Sequence, residues 1–177
     1  MQNHAPRRRI GERLEPFVLD TLSHGTLRVP AAGTVHLQFR RFAGCPVCNL
    51  QVRRFSAAHD ALAAAGVTTV TFFHSAREAM LPYQAELPSP VVPDPDRRWY
   101  AHFGVERSFR AIADPRVWAT AVQAFVTGPS NPLEGGAQDG LPADFLVDPS
   151  GVLRAVHYGT RADDQWSVDD VLALAGA

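Results

Sequence analysis

The 177-residue sequence predicts an α/β fold with a central mixed β-sheet and helices on both faces. Three observations carry this. Val35, Leu37 and Phe39 alternate with His36, Gln38 and Arg40, which is the period-2 signature of a strand. Directly afterwards the period changes. Val47, Leu50, Phe55, Ala58, Leu62 and Ala65 recur at helical spacings, and Gly66 ends the run. Val67 to Phe73 then forms a β-branched and aromatic stretch suited to a buried strand. Strand, helix and strand in this order make a βαβ unit, and a right-handed crossover leaves its two strands parallel.

The remaining elements follow in order. Val18–Leu19 and Leu27–Val29 flank Ser23-His24-Gly25 and read as a short hairpin. The proline-rich middle (Pro82, Pro88, Pro90, Pro93, Pro95) leaves room for helices over Ala76–Leu87 and Arg97–Phe103, the second closed by Gly104. A further helix is expected between Pro115 and Gly128. There Val117, Trp118, Ala121, Val122, Phe125 and Val126 form one apolar stripe read as core or interface. The glycine- and proline-rich stretch Gly128–Gly140 reads as a long loop. Phe145–Val147, a turn at Asp148–Gly151 and Val152–Tyr158 predict a β-hairpin. Ser167, with Asp169 and Asp170 behind it, is placed to cap a final helix through Leu174. A βαβ unit followed by a hairpin and a terminal helix is the thioredoxin-like arrangement, here with a helical and loop insertion at 108–140 before the last hairpin. Residues 1–177 read as a single domain of this kind.

Bulk properties narrow the function. A net charge of −1 argues against nucleic-acid and anionic-membrane partners, and Arg7-Arg8-Arg9 is too short to change that. No apolar run approaches the roughly 20 residues needed to span a bilayer. The residues after the arginine triplet are charged where a secretory signal would be apolar, so the expectation is a soluble, cytoplasmic protein. The only two cysteines, Cys45 and Cys48, lie three apart, which points to redox or metal chemistry instead of loop-closing disulfides.

The pair falls where the strand gives way to the helix, with Cys45 at the N-cap and Pro46 at the first helical position. Helical residues at i and i+3 are roughly 5–6 Å apart, within the ~4.4–6.8 Å that a disulfide tolerates between Cα atoms. Unpaired N–H groups and the partial positive charge of the helix end favour a thiolate, and Arg40 and Arg41 stand close by. This reading makes Cys45 the exposed attacking thiolate and Cys48 the more buried resolving thiol. The alternative is a non-catalytic metal-binding or redox-sensing module that combines the same pair with histidines, of which the chain has seven.

The stretch Phe39–Leu50 (FRRFAGCPVCNL) resembles the active-site segment of peroxiredoxin-like proteins in the AhpC/TSA (redoxin) family. The segment Leu141–Gly151 (LPADFLVDPSG), His157-Tyr158-Gly159 and Asp163–Trp166 are similar to the same group, as is Val92–Gly104 with Asp94, Tyr100 and Phe103-Gly104. The resemblance implies antioxidant thiol chemistry and a thioredoxin fold in which a cis-proline, here Pro142, packs beside the dithiol. It also implies a threonine three residues before the peroxide-reacting cysteine. That position is Cys45 if Cys48 reacts, and Phe42 if Cys45 does. The arginine that the family places near the later strand is replaced by Pro142.

The catalytic set expected from sequence is therefore Cys45, Cys48 and Pro142, cycling dithiol and disulfide to reduce a peroxide or a protein disulfide. No cofactor is expected, since neither a Rossmann nor a flavin fingerprint is present. Electrons would come from an external thiol reductant of the thioredoxin or glutathione type, and the insertion leaves room for a homodimer contact. Asp144 is a candidate proton acceptor behind the buried cysteine, with a solvent-facing strand position as the other reading. His157 is expected to bond to backbone and Trp166 to serve as a packing anchor.

Overall fold

The computed structural model describes residues 6–105, 131 and 140–176. Seven strands and five helices lie among them: β1 (Phe17–Asp20), β2 (Thr26–Val29), β3 (Thr34–Phe39), α1 (Pro46–Ala57), α2 (His59–Ala64), β4 (Val67–Phe73), α3 (Arg77–Gln84), β5 (Val91–Pro93), α4 (Arg98–His102), β6 (Ala143–Val147), β7 (Leu153–Tyr158) and α5 (Val168–Ala175). The helix expected at Pro115–Gly128 and nearly all of the Gly128–Gly140 loop lie outside the described residues.

The main sheet runs β5-β4-β3-β6-β7, and β1 and β2 form a separate antiparallel hairpin. β4 pairs in parallel with β3 and β5, whereas β6 is antiparallel to both β3 and β7. This is the expected βαβ unit with its terminal hairpin. The short strand β5 was not foreseen. Its Pro93 lies at the sheet edge, where a missing N–H breaks no ladder bond.

Alternation along β3 ordinarily means one buried and one solvated face, but here both faces are buried. Val35, Leu37 and Phe39 join Val70, Phe72, Phe103 and Phe145 in one core. Phe39 stacks on Phe72 with ring centroids 4.4 Å apart. The opposite face holds His36, Gln38 and Arg40, all fully buried. Buried polar groups need partners, so this face demands a hydrogen-bond network. The other core clusters gather Cys45, Val47, Cys48, Val52, Phe73 and Met80, and Phe55, Leu62, Leu146 and Val171.

The single helix expected through Ala65 is broken at Ala58, whose φ and ψ of −97° and 10° are not helical. Just before the break, the Ser56 hydroxyl donates to the Val52 carbonyl at 2.9 Å, a back-bond that bends helices. Gly66, at φ +72°, turns the chain into β4 through a left-handed conformation that only glycine adopts cheaply. Among the described residues no helix is long and apolar enough to cross a membrane.

α5 opens with a capping box. The Ser167 side chain accepts from the Asp170 N–H at 3.1 Å, and the Asp170 carboxylate accepts from the Ser167 N–H at 2.8 Å. Ser167→Ala should therefore cost about 1 kcal/mol of unfolding free energy. Urea denaturation should show a lower midpoint at an unchanged m-value; an unchanged midpoint would contradict the capping role.

Candidate active site

The site is the turn from β3 into α1. Pairing with β4 continues past the end of β3, since the Arg40 N–H donates to the Phe72 carbonyl at 2.9 Å and the His74 N–H to the Arg41 carbonyl at 3.0 Å. The next residues are held at both backbone poles. The Ala43 N–H donates to Ser75 Oγ at 2.9 Å, and its carbonyl accepts from Asn49 Nδ2 at 2.8 Å and Gln84 Nε2 at 3.0 Å. A Cβ on Gly44 would stand 2.4 Å from the Asn131 carbonyl oxygen, so glycine is required for that close approach. The Cys45 N–H donates to the Phe42 carbonyl at 3.0 Å and closes the turn.

Cys45 is the N-cap of α1 and Pro46 follows at the first helical position, as the sequence predicts. The Cys45 Sγ accepts from the Cys48 N–H at 3.4 Å and from Arg41 Nη2 at 3.1 Å. The Cys48 Sγ accepts from the Arg41 N–H at 3.5 Å. Both thiols are free. Cys45 is not exposed: the two residues are 0% and 2% accessible, so the expected contrast between an exposed and a buried cysteine is absent. The physical reason is that both cysteines belong to the core cluster of Phe42, Val47, Val52, Phe73 and Met80.

The electrostatics draw the two thiols apart, with Cys45 raised and Cys48 lowered. Burial pushes the Cys45 thiol up, its hydrogen bond to Cys48 and the charge there push it further, and Arg41 only partly offsets this. Burial acts on Cys48 in the same direction. There, however, the hydrogen bond from Cys45, the Arg41 charge, the Arg41 N–H and the more distant Arg40 charge outweigh it and bring the thiol down to about 6. The pair shares one thiolate, and Cys48 is the better place for it. Burial weakens the hold of Arg41 on its proton, but the two sulfurs more than restore it, so the guanidinium stays charged.

The neighbouring arginine turns to other work. Arg40 donates to Asp144 Oδ1 at 2.7 Å, to Asp144 Oδ2 at 3.2 Å, to Gln38 Oε1 at 2.9 Å and to the Phe39 carbonyl at 3.1 Å. Asp144 also receives His36 Nε2 at 3.0 Å and the Trp166 N–H at 3.4 Å. Burial raises its carboxyl, but the Arg40 charge and the His36 contact override this and hold it at about 2. Asp144 is thus neither solvent-facing nor a proton acceptor for the dithiol; it is the counter-ion of Arg40.

Pro142 precedes β6 as expected, one residue beyond the Ala143–Phe39 pair and so level with Arg40. Its peptide bond is trans: the only cis bond among the described residues is Val29–Pro30. The Pro142 carbonyl accepts the Gly159 N–H at 2.9 Å, which ties it to the end of β7. His157 Nε2 meets the Asp164 carbonyl and carboxylate at 3.2 and 3.1 Å, and Trp166 stacks on the His157 ring. Both fill the packing roles expected of them. Among the described residues no group of three or more His, Cys, Asp or Glu side chains is arranged to hold a metal ion, so nothing supports the metal-binding alternative. The parts that sequence reasoning passed over are the clamp on Ala43 by Ser75, Asn49 and Gln84, and the contact of Tyr100 described below.

The model of the AhpC/TSA family matches residues 10–156. The structure is similar to peroxidoxin BcpB from Mycobacterium tuberculosis, with a TM-score of 0.68 at 17% identity, covering 94% of this chain and 96% of that one. It is also similar to the reduced 2-Cys peroxiredoxin of Plasmodium vivax, with a TM-score of 0.69 at 14% identity, covering 95% of this chain and 80% of that one. No curated protein sequence matches significantly.

Two outcomes follow from this geometry. Thiolate absorbance at 240 nm should rise in a first step with its midpoint near pH 6. Arg41→Met should move that step up by about one unit or more; an unmoved midpoint would remove Arg41 from the account. The depressed carboxyl of Asp144 contributes stability that is present above the unfolded value of 3.8 and lost as pH falls through about 2. Acid should thus cost the wild type about 2 kcal/mol in this window. Asp144→Asn should abolish that step and, by leaving Arg40 uncompensated, cost about 3–5 kcal/mol at pH 7 in urea unfolding.

Proposed function

Because the chain belongs to the AhpC/TSA family of peroxiredoxin-like thiol oxidoreductases, with its two free cysteines side by side at one helix start, we propose that it reduces a small peroxide through Cys48 and Cys45. The observation that carries this reading is the Cys48 sulfur: buried, met by the Arg41 N–H, and favoured as a thiolate near neutral pH. Burial of both sulfurs selects a small substrate over the disulfide of a folded protein. The family's threonine position then falls on Cys45, whose S–H takes the place of the hydroxyl as a donor to the reacting sulfur.

The Cys48 thiolate attacks one peroxide oxygen, an S–O bond forms, and the O–O bond breaks. The leaving oxygen departs as an alcohol or water, with the Cys45 thiol supplying its proton. Cys48 is now a sulfenic acid. The Cys45 thiolate attacks that sulfur, an S–S bond forms, the S–O bond breaks, and the departing hydroxide takes a proton from solvent to become water. Two electrons from an external thiol reductant return the disulfide to the dithiol. The Arg41 guanidinium, at 3.1 Å from the Cys45 sulfur, stays charged throughout and steadies whichever sulfur is anionic. Cytoplasmic placement agrees with a dithiol kept reduced by such a partner.

Stopped-flow oxidation of the reduced protein by hydrogen peroxide should exceed that of free cysteine by about a hundredfold or more. A rate no faster than free cysteine would exclude the peroxidase reading. Cys45→Ser should keep a fast first step and accumulate a sulfenic acid that dimedone traps, whereas Cys48→Ser should lose the fast step. Retained fast oxidation in Cys48→Ser would reverse the assigned order.

A further inference from the structure

We infer that Tyr100 is a positioning residue for the Cys48 sulfur and acts through the single peptide that joins Arg40 to Arg41. Tyr100 lies on α4, away from the dithiol helix, and is buried. Its hydroxyl donates to the Arg40 carbonyl. A second carbonyl, that of Phe72, stands 2.9 Å from the same oxygen. The Arg40 carbonyl and the Arg41 N–H are the two ends of one amide, and that N–H donates to the Cys48 Sγ at 3.5 Å. The chain of contacts therefore runs from phenol to carbonyl, through the amide, to sulfur. A hydrogen bond accepted by a carbonyl polarises the amide and strengthens the donation of its N–H.

The same contact restrains rotation of the peptide plane. Turning the amide away from Cys48 would break the Tyr100 bond and cost the buried Arg40 carbonyl that donor. Tyr100 is itself held from behind. Asp94 accepts the Trp99 N–H at 2.8 Å and the Tyr100 N–H at 3.3 Å and so fixes the start of α4. Burial raises the phenol well above its ordinary value, so it remains a donor through the working pH range. The charged and titratable groups facing the phenol are Asp94, Arg97, Arg40, the His74 ring at 5.7 Å and Cys48. Those facing the Cys48 sulfur are Cys45, Arg41 and Arg40.

This inference rests on Cys48 as the seat of the first thiolate, and its test separates the two claims. The reduced full-length protein is alkylated with iodoacetamide across pH 4.5–9, and the labelled cysteine is identified by peptide mass. In Tyr100→Phe the label should remain on Cys48 while the midpoint rises by about half a pH unit, a loss of about threefold in rate at pH 5. The rate at pH 9 should be unchanged, an outcome that a general loss of packing would not give. Site-specific trifluorotyrosine at position 100 keeps the shape of the side chain but strengthens its O–H donation. It should move the midpoint the opposite way, and it decides the matter should Tyr100→Phe not fold. A label on Cys48 with an unmoved midpoint in both proteins overturns the role of Tyr100. A label on Cys45 overturns the assignment of the thiolate instead.

Discussion

A guanidinium leaves water only when its donors and its charge are met elsewhere, and Arg40 is the largest side chain fully buried among the described residues. Much of the site follows from meeting that demand. Asp144 supplies the charge from β6 and so ties that strand to β3 in the antiparallel register that sets Gln38 opposite Asp144. His36 and the Trp166 N–H fill the remaining acceptor positions and bring the segment before α5 onto the same anchor. Arg40 is committed to this inward network, and Arg41 brings its guanidinium to the dithiol. One arginine holds the scaffold and the next serves the sulfurs.

Two opposing effects set the charge on the sulfurs. Burial alone would keep both thiols protonated. Against it act the N-terminus of α1, the Arg41 guanidinium and the Arg41 N–H, each aimed by backbone that is itself pinned. The clamp on Ala43 from Ser75, Asn49 and Gln84 matters here, because donors lower a thiol's proton affinity only if they cannot swing away. The sum supports one anion shared by two sulfurs, with the thiol–thiol hydrogen bond raising Cys45 and lowering Cys48.

Much of this was legible in the sequence, for identifiable reasons. Periodicity revealed β3, β4 and the βαβ unit because those segments are long and their apolar sets regular. The N-cap role of Cys45 was readable because proline at the next position marks a helix start. Other features were hidden because they depend on contacts distant in sequence. Alternation along β3 does not say where its polar half lies, and only the pairing with Asp144, 104 residues beyond Arg40, makes it a buried network. The same pairing turned Asp144 from a candidate proton acceptor into a fixed counter-ion. Pro142 was placed correctly at the entry to β6 but not in its isomer, since strand pairing there is compatible with a trans bond. The break at Ala58 carries no glycine or proline to announce it.

A cysteine at the position where the family's pattern has threonine changes what that position can do. A hydroxyl donates a hydrogen bond to the reacting sulfur and stays as it is. A thiol donates in the same geometry and, once the sulfur has been oxidised, is already within reach to attack it. In the proposed mechanism the two roles come in sequence and use the same proton: while it sits on Cys45 it stabilises the Cys48 thiolate, and once released to the leaving oxygen it leaves Cys45 nucleophilic. Closing a three-residue loop at a helix N-terminus needs no local unfolding, because the spacing already suits a disulfide. The burial that would hinder a distant resolving cysteine is therefore no obstacle to a neighbouring one. Arg41 completes the arrangement, since its charge lies against the sulfur that must become anionic for the second step.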